Sequence, residues 1–494
     1  MPAAEASVMV RATVLAAAAV LALGLTPAAG ARTAPAPTPA ALHRAGSWLV
    51  DGQGRVVILH GVNAVWKRAP YLPPATPGGF TARDADWIAA QGFNTVRLGV
   101  LFAGVMPRPG YVDPHYLEGV TRLVRVLAAR RIWVLLDFHQ DLYSERFSGE
   151  GFPDWAVHDD GVPHAVDAGF PGNYFLPATM RAFDNFWANT AGVQERYAAA
   201  WAAVARHVRD EPYVLGYDVM NEPWPGVAWP SCANPLGCPV FDARSLQPLY
   251  DRVAVAIRSV DRRHLVYVEP NVLYNDGART GLGSLGSLGD QQLDLSFHQY
   301  CTTAGLTHSH GGKAGPDCGP QGDLVFANAA ADASRLPAAP LLTEFGASDD
   351  LPDIARVVTG ADTHLMGWQY WHYKEWADPT TESQGSGGQG LFTDDRSLAT
   401  VKPAKADVLV RPYARAVAGI PTSMGFDPST RRFTLTYQAH PEAGVTEVVL
   451  PRRQYPHSYR VTVSGASVVS ANGAGVLLLR AAASGQVTLA VSPP

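Results

Sequence analysis

Residues 46–410 predict a (β/α)8 barrel and residues 411–494 an antiparallel β-sandwich. Three observations carry this. Eight short apolar runs alternate with amphipathic segments through the first stretch. Several of these runs are apolar without a break, as parallel strands buried on both faces require. Beyond about residue 410 the pattern turns to short alternating stretches divided by turns such as Asp427-Pro428 and Asn472-Gly473.

The eight runs fall at residues 56–63, 95–98, 133–138, 215–221, 265–269, 293–298, 341–344 and 367–371. Helix signals lie between them. Thr81 with Asp84 forms a capping box, and Gly92 closes that helix. Asp113 is an N-cap ahead of Pro114, after which Leu117, Val120, Val124 and Leu127 recur at helical spacing. Leu249, Val253 and Ile257 line one face of another helix. A doubly wound open sheet is the competing fold. It usually carries a Gly-rich phosphate loop after its first strand, and His60-Gly61-Val62-Asn63-Ala64 is not one. The sandwich strands are expected at 433–437, 446–450, 459–463, 476–479 and 487–491.

Composition removes two classes of function. Lys and Arg number 39 against 44 Asp and Glu, a net charge of -5 with no basic stripe for nucleic acid. A hydrophobic content of 47% excludes intrinsic disorder.

The N-terminus reads as an export signal. Arg11 precedes an apolar run at 12–25, and small residues follow with cleavage expected near Ala31. Residues 32–45 form an Ala/Pro-rich linker. The apolar run is too short to span a bilayer, which needs about 20 residues. Export suits disulfides among Cys232, Cys238, Cys301 and Cys318. Three pairings are possible. The local one, Cys232 with Cys238 and Cys301 with Cys318, is simplest because each bridge closes a single loop. A zinc site is disfavoured, since neither pair has C-x-x-C spacing.

The chemistry gathers where the strands end, the face on which barrel enzymes carry their active sites. The fourth run ends Asn221-Glu222-Pro223 and the seventh ends Thr343-Glu344-Phe345. Strands four and seven lie across the barrel mouth from each other. Two facing carboxylates are what glycosidic cleavage needs, one to protonate the leaving oxygen and one to attack the anomeric carbon.

Asn221-Glu222-Pro223 with Glu344 resembles the signature of the family 5 glycoside hydrolases, retaining (β/α)8 enzymes that include cellulases. Arg97 is similar to the second-strand arginine of that family, and His139 to the third-strand histidine. His298 and Tyr300 resemble the sixth-strand pair, and Trp371 the aromatic ending the eighth. The resemblance covers about residues 46–400 and six of the eight strands. It implies Glu222 as acid/base and Glu344 as nucleophile, with no metal and no cofactor. Arg97 and the Tyr300 hydroxyl would donate to Glu344 and favour its ionised form. Asn221 would bond the sugar 2-hydroxyl, and Trp371 would stack beneath the ring. His139 and His298 read equally as sugar contacts or as scaffold.

Finer phrases resemble the endoglycoceramidases within that family: Gly61 through Lys67, Leu135 through Ser144, Phe183 through Trp187, Trp368 through Lys374, and the C-terminal sandwich. These enzymes release the intact glycan from ceramide. The resemblance implies Lys67, Asp141 and Trp187 as contacts to sugars beside the scissile bond. It also implies a glycosphingolipid substrate met at a membrane or micelle surface, by an exported monomer with no protein or nucleic-acid partner. The alternative on the same scaffold is an endo-β-glucanase of cellulase type or a β-mannanase. Residues 143–190 form a long aromatic insertion, and residues 100–106 are an apolar stretch that reads either as a lipid-side lip or as loop core.

Overall fold

The computed structural model describes residues 41–283, 292–301, 315, 317–380 and 388–494. The expectations for residues 1–40 lie outside them. Eight parallel strands close a barrel: β4 (His60–Ala64), β5 (Thr95–Val100), β6 (Trp133–Phe138), β7 (Val214–Asp218), β8 (Leu265–Val268), β9 (Leu293–Gln299), β10 (Pro340–Phe345) and β11 (Gly367–Tyr370). β11 pairs back onto β4, with Trp368 opposite His60. Every residue of β4, β5 and β6 is buried, because one side fills the bore and the other lies beneath helices. The signals read from sequence act as expected. Asp113 accepts from the His115 and Tyr116 N–H groups at the start of the helix Pro114–Ala128, whose Leu117, Val120, Val124 and Leu127 are buried.

The run at 56–63 is not one strand. β3 (Val56–Val57) pairs with β12 (Tyr413–Val417), and the chain enters the barrel only at His60. Two residues make the crossing. The Ile58 N–H donates to the Arg415 carbonyl, while the Leu59 carbonyl accepts from the Trp368 N–H, so neighbours bond to different sheets. With β1 (His43–Ala45) and β2 (Trp48–Val50), residues that read as linker and barrel complete a seven-stranded sheet of the C-terminal sandwich.

That sheet continues through β15 (Thr446–Val449), β18 (Val476–Arg480) and β17 (Ser467–Val468). The facing sheet is β13 (Gly419–Asp427), β14 (Arg432–Ala439), β19 (Gly485–Ser492) and β16 (Arg460–Ser464). Phe433, Leu435, Tyr437, Val448, Leu477 and Val487 fill the space between them. Tyr413 ties sandwich to barrel: its ring stacks on His60 at 3.8 Å, and its hydroxyl donates to the Gly92 carbonyl at 2.8 Å. Both local disulfides are present, Cys232–Cys238 and Cys301–Cys318.

The aromatic insertion is mostly core. Tyr143, Phe147, Phe152, Phe183 and Phe186 are buried, and Phe152 stacks on Tyr143 at 4.1 Å. Leu101, Phe102, Val105 and Met106 are buried too, so the apolar stretch after β5 is loop core and not a lip. Phe102 is held edge-on by Phe152 and Tyr197, which leaves no face for a ligand.

Trp201 connects this core to the site. Its ring stacks on Phe138 at 3.8 Å, and its indole N–H donates to the Val219 carbonyl at 2.9 Å, three residues before Glu222. The Tyr197 hydroxyl donates to the same carbonyl at 2.8 Å, so Trp201→Ala costs chiefly the cavity it leaves, and should lower stability by about 3–5 kcal/mol in denaturant unfolding.

Candidate active site

Four barrel strands deliver the reactive groups. Glu222 follows β7 by four residues and lies at φ 42°, in the left-handed region. Its neighbours hold it there. The Glu222 N–H donates to Glu269 Oε2 at 2.9 Å, and the Gln140 side chain donates to both the Asn221 and Glu222 carbonyls at 3.0 Å. Glu344 lies within β10, ahead of Gly346 at φ 97°; a Cβ on that glycine would meet the Tyr370 ring at 2.3 Å. One oxygen of Glu222 and one of Glu344 lie within 4.8 Å of each other and of a His298 nitrogen.

Arg97, on β5, is fully buried and serves the whole cluster. Its Nη1 donates to Glu344 Oε1 at 2.5 Å, its Nη2 to Asn221 Oδ1 at 2.9 Å and its Nε to Asp218 Oδ2 at 2.9 Å. Asp137 and Glu269 complete its ion pairs at 3.0 and 3.1 Å. The Tyr300 hydroxyl donates to the second Glu344 oxygen at 3.1 Å. Both expected donors to Glu344 are therefore in place. Burial nevertheless raises this carboxyl above the ordinary range and Glu222 adds to the rise, outweighing Arg97, which favours the ionised form as expected, and His298, which joins it. Asp218, buried beside Arg97 and two further carboxylates, is pushed up to about 8. The His298 Nδ1 reaches Glu222 Oε1 at 2.9 Å and Glu344 Oε2 at 3.5 Å. Burial opposes charge on His298, but Glu269 and Glu344 outweigh it and hold the imidazole well above its usual value. Asn275 also donates to Glu222 Oε1, at 2.8 Å.

Beside this cluster lies a second one built on Lys67. Its ammonium contacts Asp141 at 2.5 Å, Asp378 at 3.0 Å, Glu150 at 3.5 Å and the Thr380 hydroxyl at 2.9 Å. Lys67 also lies 4.8 Å over the Trp371 ring, which stacks on His139 at 5.1 Å and donates its N–H to Gln389 Oε1 at 2.6 Å. His139 is fixed by Asp137 at 2.9 Å. Burial works against its charge, yet Asp137 and Asp141 raise it to about 10. Asn221 spends one N–H on the Gln140 carbonyl at 3.0 Å. Trp187 stands apart from these groups. It is half-buried against Phe241 and reaches the site through a hydrogen bond to the Trp224 carbonyl at 2.9 Å. The structure thus gathers Lys67, Arg97, His139, Asp141, Asn221, Glu222, His298, Tyr300, Glu344 and Trp371 in two contiguous clusters.

Among the described residues of the site, two groupings have ligand atoms close enough for a cation, His139 with Asp141 and Glu150, and Glu222 with His298 and Glu344. A third, outside these clusters, places Asp317 with Cys301 and Cys318, whose sulfurs are bonded to each other. Lys67 and Arg97 already supply positive charge to the first two, which a cation would have to displace.

Glu269, Asn275, Glu150 and Asp378 are site residues that sequence reading passed over. Glu269 carried the same signal as Glu344, a carboxylate closing a strand. Asp378 carried none, being in a loop whose path is set by the fold.

Arg97→Lys keeps the charge but loses the fork that spans Glu344, Asn221 and Asp218, and kcat should fall by about 100-fold or more. For His139, charge is favoured only in the fold, so its stabilisation is complete below about 6.5 and fades as pH rises toward 10. The gap in melting temperature between wild type and His139→Gln should accordingly be widest near pH ~6 and shrink by pH ~10.

Known proteins share this arrangement. Residues 50–376 match the family model described as cellulase (glycosyl hydrolase family 5), and residues 411–491 match the glycoside hydrolase family 5 C-terminal domain. The chain is 36% identical to endoglycoceramidase I of Rhodococcus hoagii (strain 103S), over 93% of this chain and 90% of that protein. It is 30% identical to an endoglycoceramidase of Cyanea nozakii, covering 84% and 85%. Two solved structures of endo-glycoceramidase II from Rhodococcus sp. superpose on it, each at 32% identity over 91% of this chain and 100% of that one. The lactosyl-enzyme intermediate gives a TM-score of 0.75 and the ganglioside GM3 complex 0.76. A closed barrel with Glu222 and Glu344 at its mouth, matched by family models in both halves, means that this chain belongs to glycoside hydrolase family 5.

Proposed function

We propose that the protein is an exported endoglycoceramidase, a retaining endo-β-glycosidase that cuts between the glycan and the ceramide of glycosphingolipids. The observation that carries the mechanism is the approach of Glu222 and Glu344 oxygens to within 4.8 Å. Retaining enzymes hold their carboxyl groups about 5–5.5 Å apart, whereas inverting enzymes leave room for a water at about 6.5–9.5 Å. In the first step Glu344 attacks the anomeric carbon while Glu222 gives its proton to the departing ceramide oxygen. Arg97 and Tyr300 aim the nucleophile. In the second step Glu222 takes a proton from water, which displaces Glu344 and restores the original configuration.

The lipid reading is supported by an apolar wall that leads outward from Glu222. Trp224 packs against Phe175 at 5.0 Å and stacks on Trp229 at 6.3 Å, and Phe175 meets Trp229 at 5.0 Å. Phe175 is 43% exposed, and Val227, two residues before Trp229, is 62% exposed, so this aromatic group has an apolar surface open to solvent. Opposite in character, the Lys67, Asp141 and Asp378 cluster offers charged hydrogen-bonding groups suited to sugar hydroxyls. Export is supported by the N-terminal charge and apolar pattern and by two disulfides, which persist in oxidising compartments. N-terminal sequencing of the secreted protein should begin near residue 32.

Hydrolysis of a fluorescent GM3-type glycolipid should be efficient and that of carboxymethylcellulose negligible; turnover of the polysaccharide alone would assign the β-glucanase activity instead. A 2-deoxy-2-fluoro-β-lactoside should label Glu344, as peptide mass mapping would show. Replacing Phe175 and Val227 together by serine should raise KM for micellar glycolipid by about tenfold and leave a soluble aryl lactoside unaffected.

A further inference from the structure

Glu269, directly after β8, is a carboxylate with no part in either step above. It is 2% exposed and touches three pieces of the machinery at once. Its Oε2 accepts the backbone N–H of Glu222 at 2.9 Å. Its Oε1 lies 3.1 Å from Arg97 Nη2 and 3.0 Å from His298 Nε2. The first contact bears on backbone strain. Glu222 has φ 42°, a conformation that a residue with a Cβ holds only when its surroundings fix it.

The other contact bears on charge. Facing His298 are Glu222 after β7, Glu269 directly after β8, Glu344 on β10, and Tyr300 beyond its own strand, with Arg97 on β5 behind Glu269 and Glu344. His298 Nδ1 stands between the two catalytic carboxylates, 2.9 Å from one and 3.5 Å from the other. During turnover the negative charge moves between those same two groups. It begins on Glu344. After the glycosyl-enzyme forms, Glu344 is a neutral ester and Glu222, having lost its proton to the leaving oxygen, carries the charge.

We propose that Glu269 is a positioning residue for both half-reactions: it fixes the Glu222 backbone in its left-handed turn and keeps both His298 nitrogens protonated, so that the Nδ1–H follows the negative charge from Glu344 to Glu222 and back. No proton leaves His298 in this scheme. The one that Glu222 gives to the ceramide oxygen is returned by the attacking water. The neutral alternative, an imidazole with a lone pair at Nδ1, would set that lone pair against a carboxylate in one half of every cycle. Glu269 is equipped for the task. Burial alone would favour its neutral form, but His298, Arg97 and the Glu222 N–H together hold it below the ordinary carboxylate range. The inference rests on the acid/base role of Glu222.

Three variants test it in the full-length enzyme: Glu269→Gln, Glu269→Asp and Glu222→Ala. Glu269→Gln should lower kcat by about tenfold to hundredfold, on glycolipid and on 2,4-dinitrophenyl β-lactoside alike, because Glu222 is needed as acid with one and as base with both. KM should change by less than about twofold. With 2,4-dinitrophenyl β-lactoside, where Glu222 acts only as base and does not set the basic limb, that limb of the kcat profile should move down by about one pH unit as His298 loses its proton earlier. Glu269→Asp keeps the charge with a shorter reach, so it should restore the basic limb while kcat stays reduced. A Glu269→Gln enzyme with the wild-type basic limb, or an Asp variant no different from Gln in its profile, would overturn the inference. Glu222→Ala separates that failure from failure of the underlying assignment. It should lose glycolipid turnover and regain dinitrophenyl-lactoside turnover with azide; if it cleaves glycolipid normally, the acid/base assignment itself is wrong.

Discussion

The buried guanidinium of Arg97 is the constraint around which the site is built. A charge with no exposure is tolerated only when paired and hydrogen-bonded, and this one faces Asp137, Asp218, Glu269 and Glu344. His298 adds positive charge beside Glu269 and Glu344, and His139 adds it beside Asp137. Among the described residues Asp218 pairs with Arg97 alone, and burial pushes its carboxyl up to about 8. What remains is a fixed field at the barrel mouth that holds Glu344 by a short hydrogen bond and Asn221 by another. The arrangement is not an efficient way to stabilise a fold, since an apolar plug would avoid the desolvation cost. It is an efficient way to preorganise charge before a substrate arrives.

The second cluster repeats the theme with a different cation. Lys67 is surrounded by Asp141, Asp378 and Glu150, and burial drives the Glu150 carboxyl well above its ordinary range despite the lysine. Trp371 lies at the junction of the two clusters, with His139 stacked on its ring and Lys67 above it. His139 links them directly: Asp137, at 2.9 Å, is also an Arg97 partner, and Asp141 is a Lys67 partner. His139 and Trp371 thus join the two clusters.

How much was legible depended on whether a residue's role is set by its strand. Glu222 and Glu344 were readable because each sits at or near the C-terminal end of a barrel strand, where side chains converge by geometry alone; Arg97, in the middle of β5, and His298 were readable through the family resemblance. Glu269 satisfied the same rule and was passed over because it did not belong to a recognised motif. Asp378 and Gln389 were unreadable, since their approach to Lys67 and Trp371 depends on how the chain after β11 folds back. The insertion at 143–190 shows the opposite limit: its aromatics look alike in sequence, yet Tyr143, Phe147, Phe152, Phe183 and Phe186 became core while Phe175 stayed exposed.

The sequence by itself determined the barrel, the sandwich and the two glutamates, because hydrophobic period, turn chemistry and strand-end residues are local properties of the chain; among three possible disulfide pairings the structure decided for the local one. Only the tertiary structure decided that residues 43–57 join the C-terminal sheet, that Trp187 stands off from the charged clusters, and that the Glu344 carboxyl is raised. Each of these is a balance between groups far apart in sequence. Strand pairing, ring packing and the contest between burial and nearby charge have no local signature; they exist only once the distant partners meet.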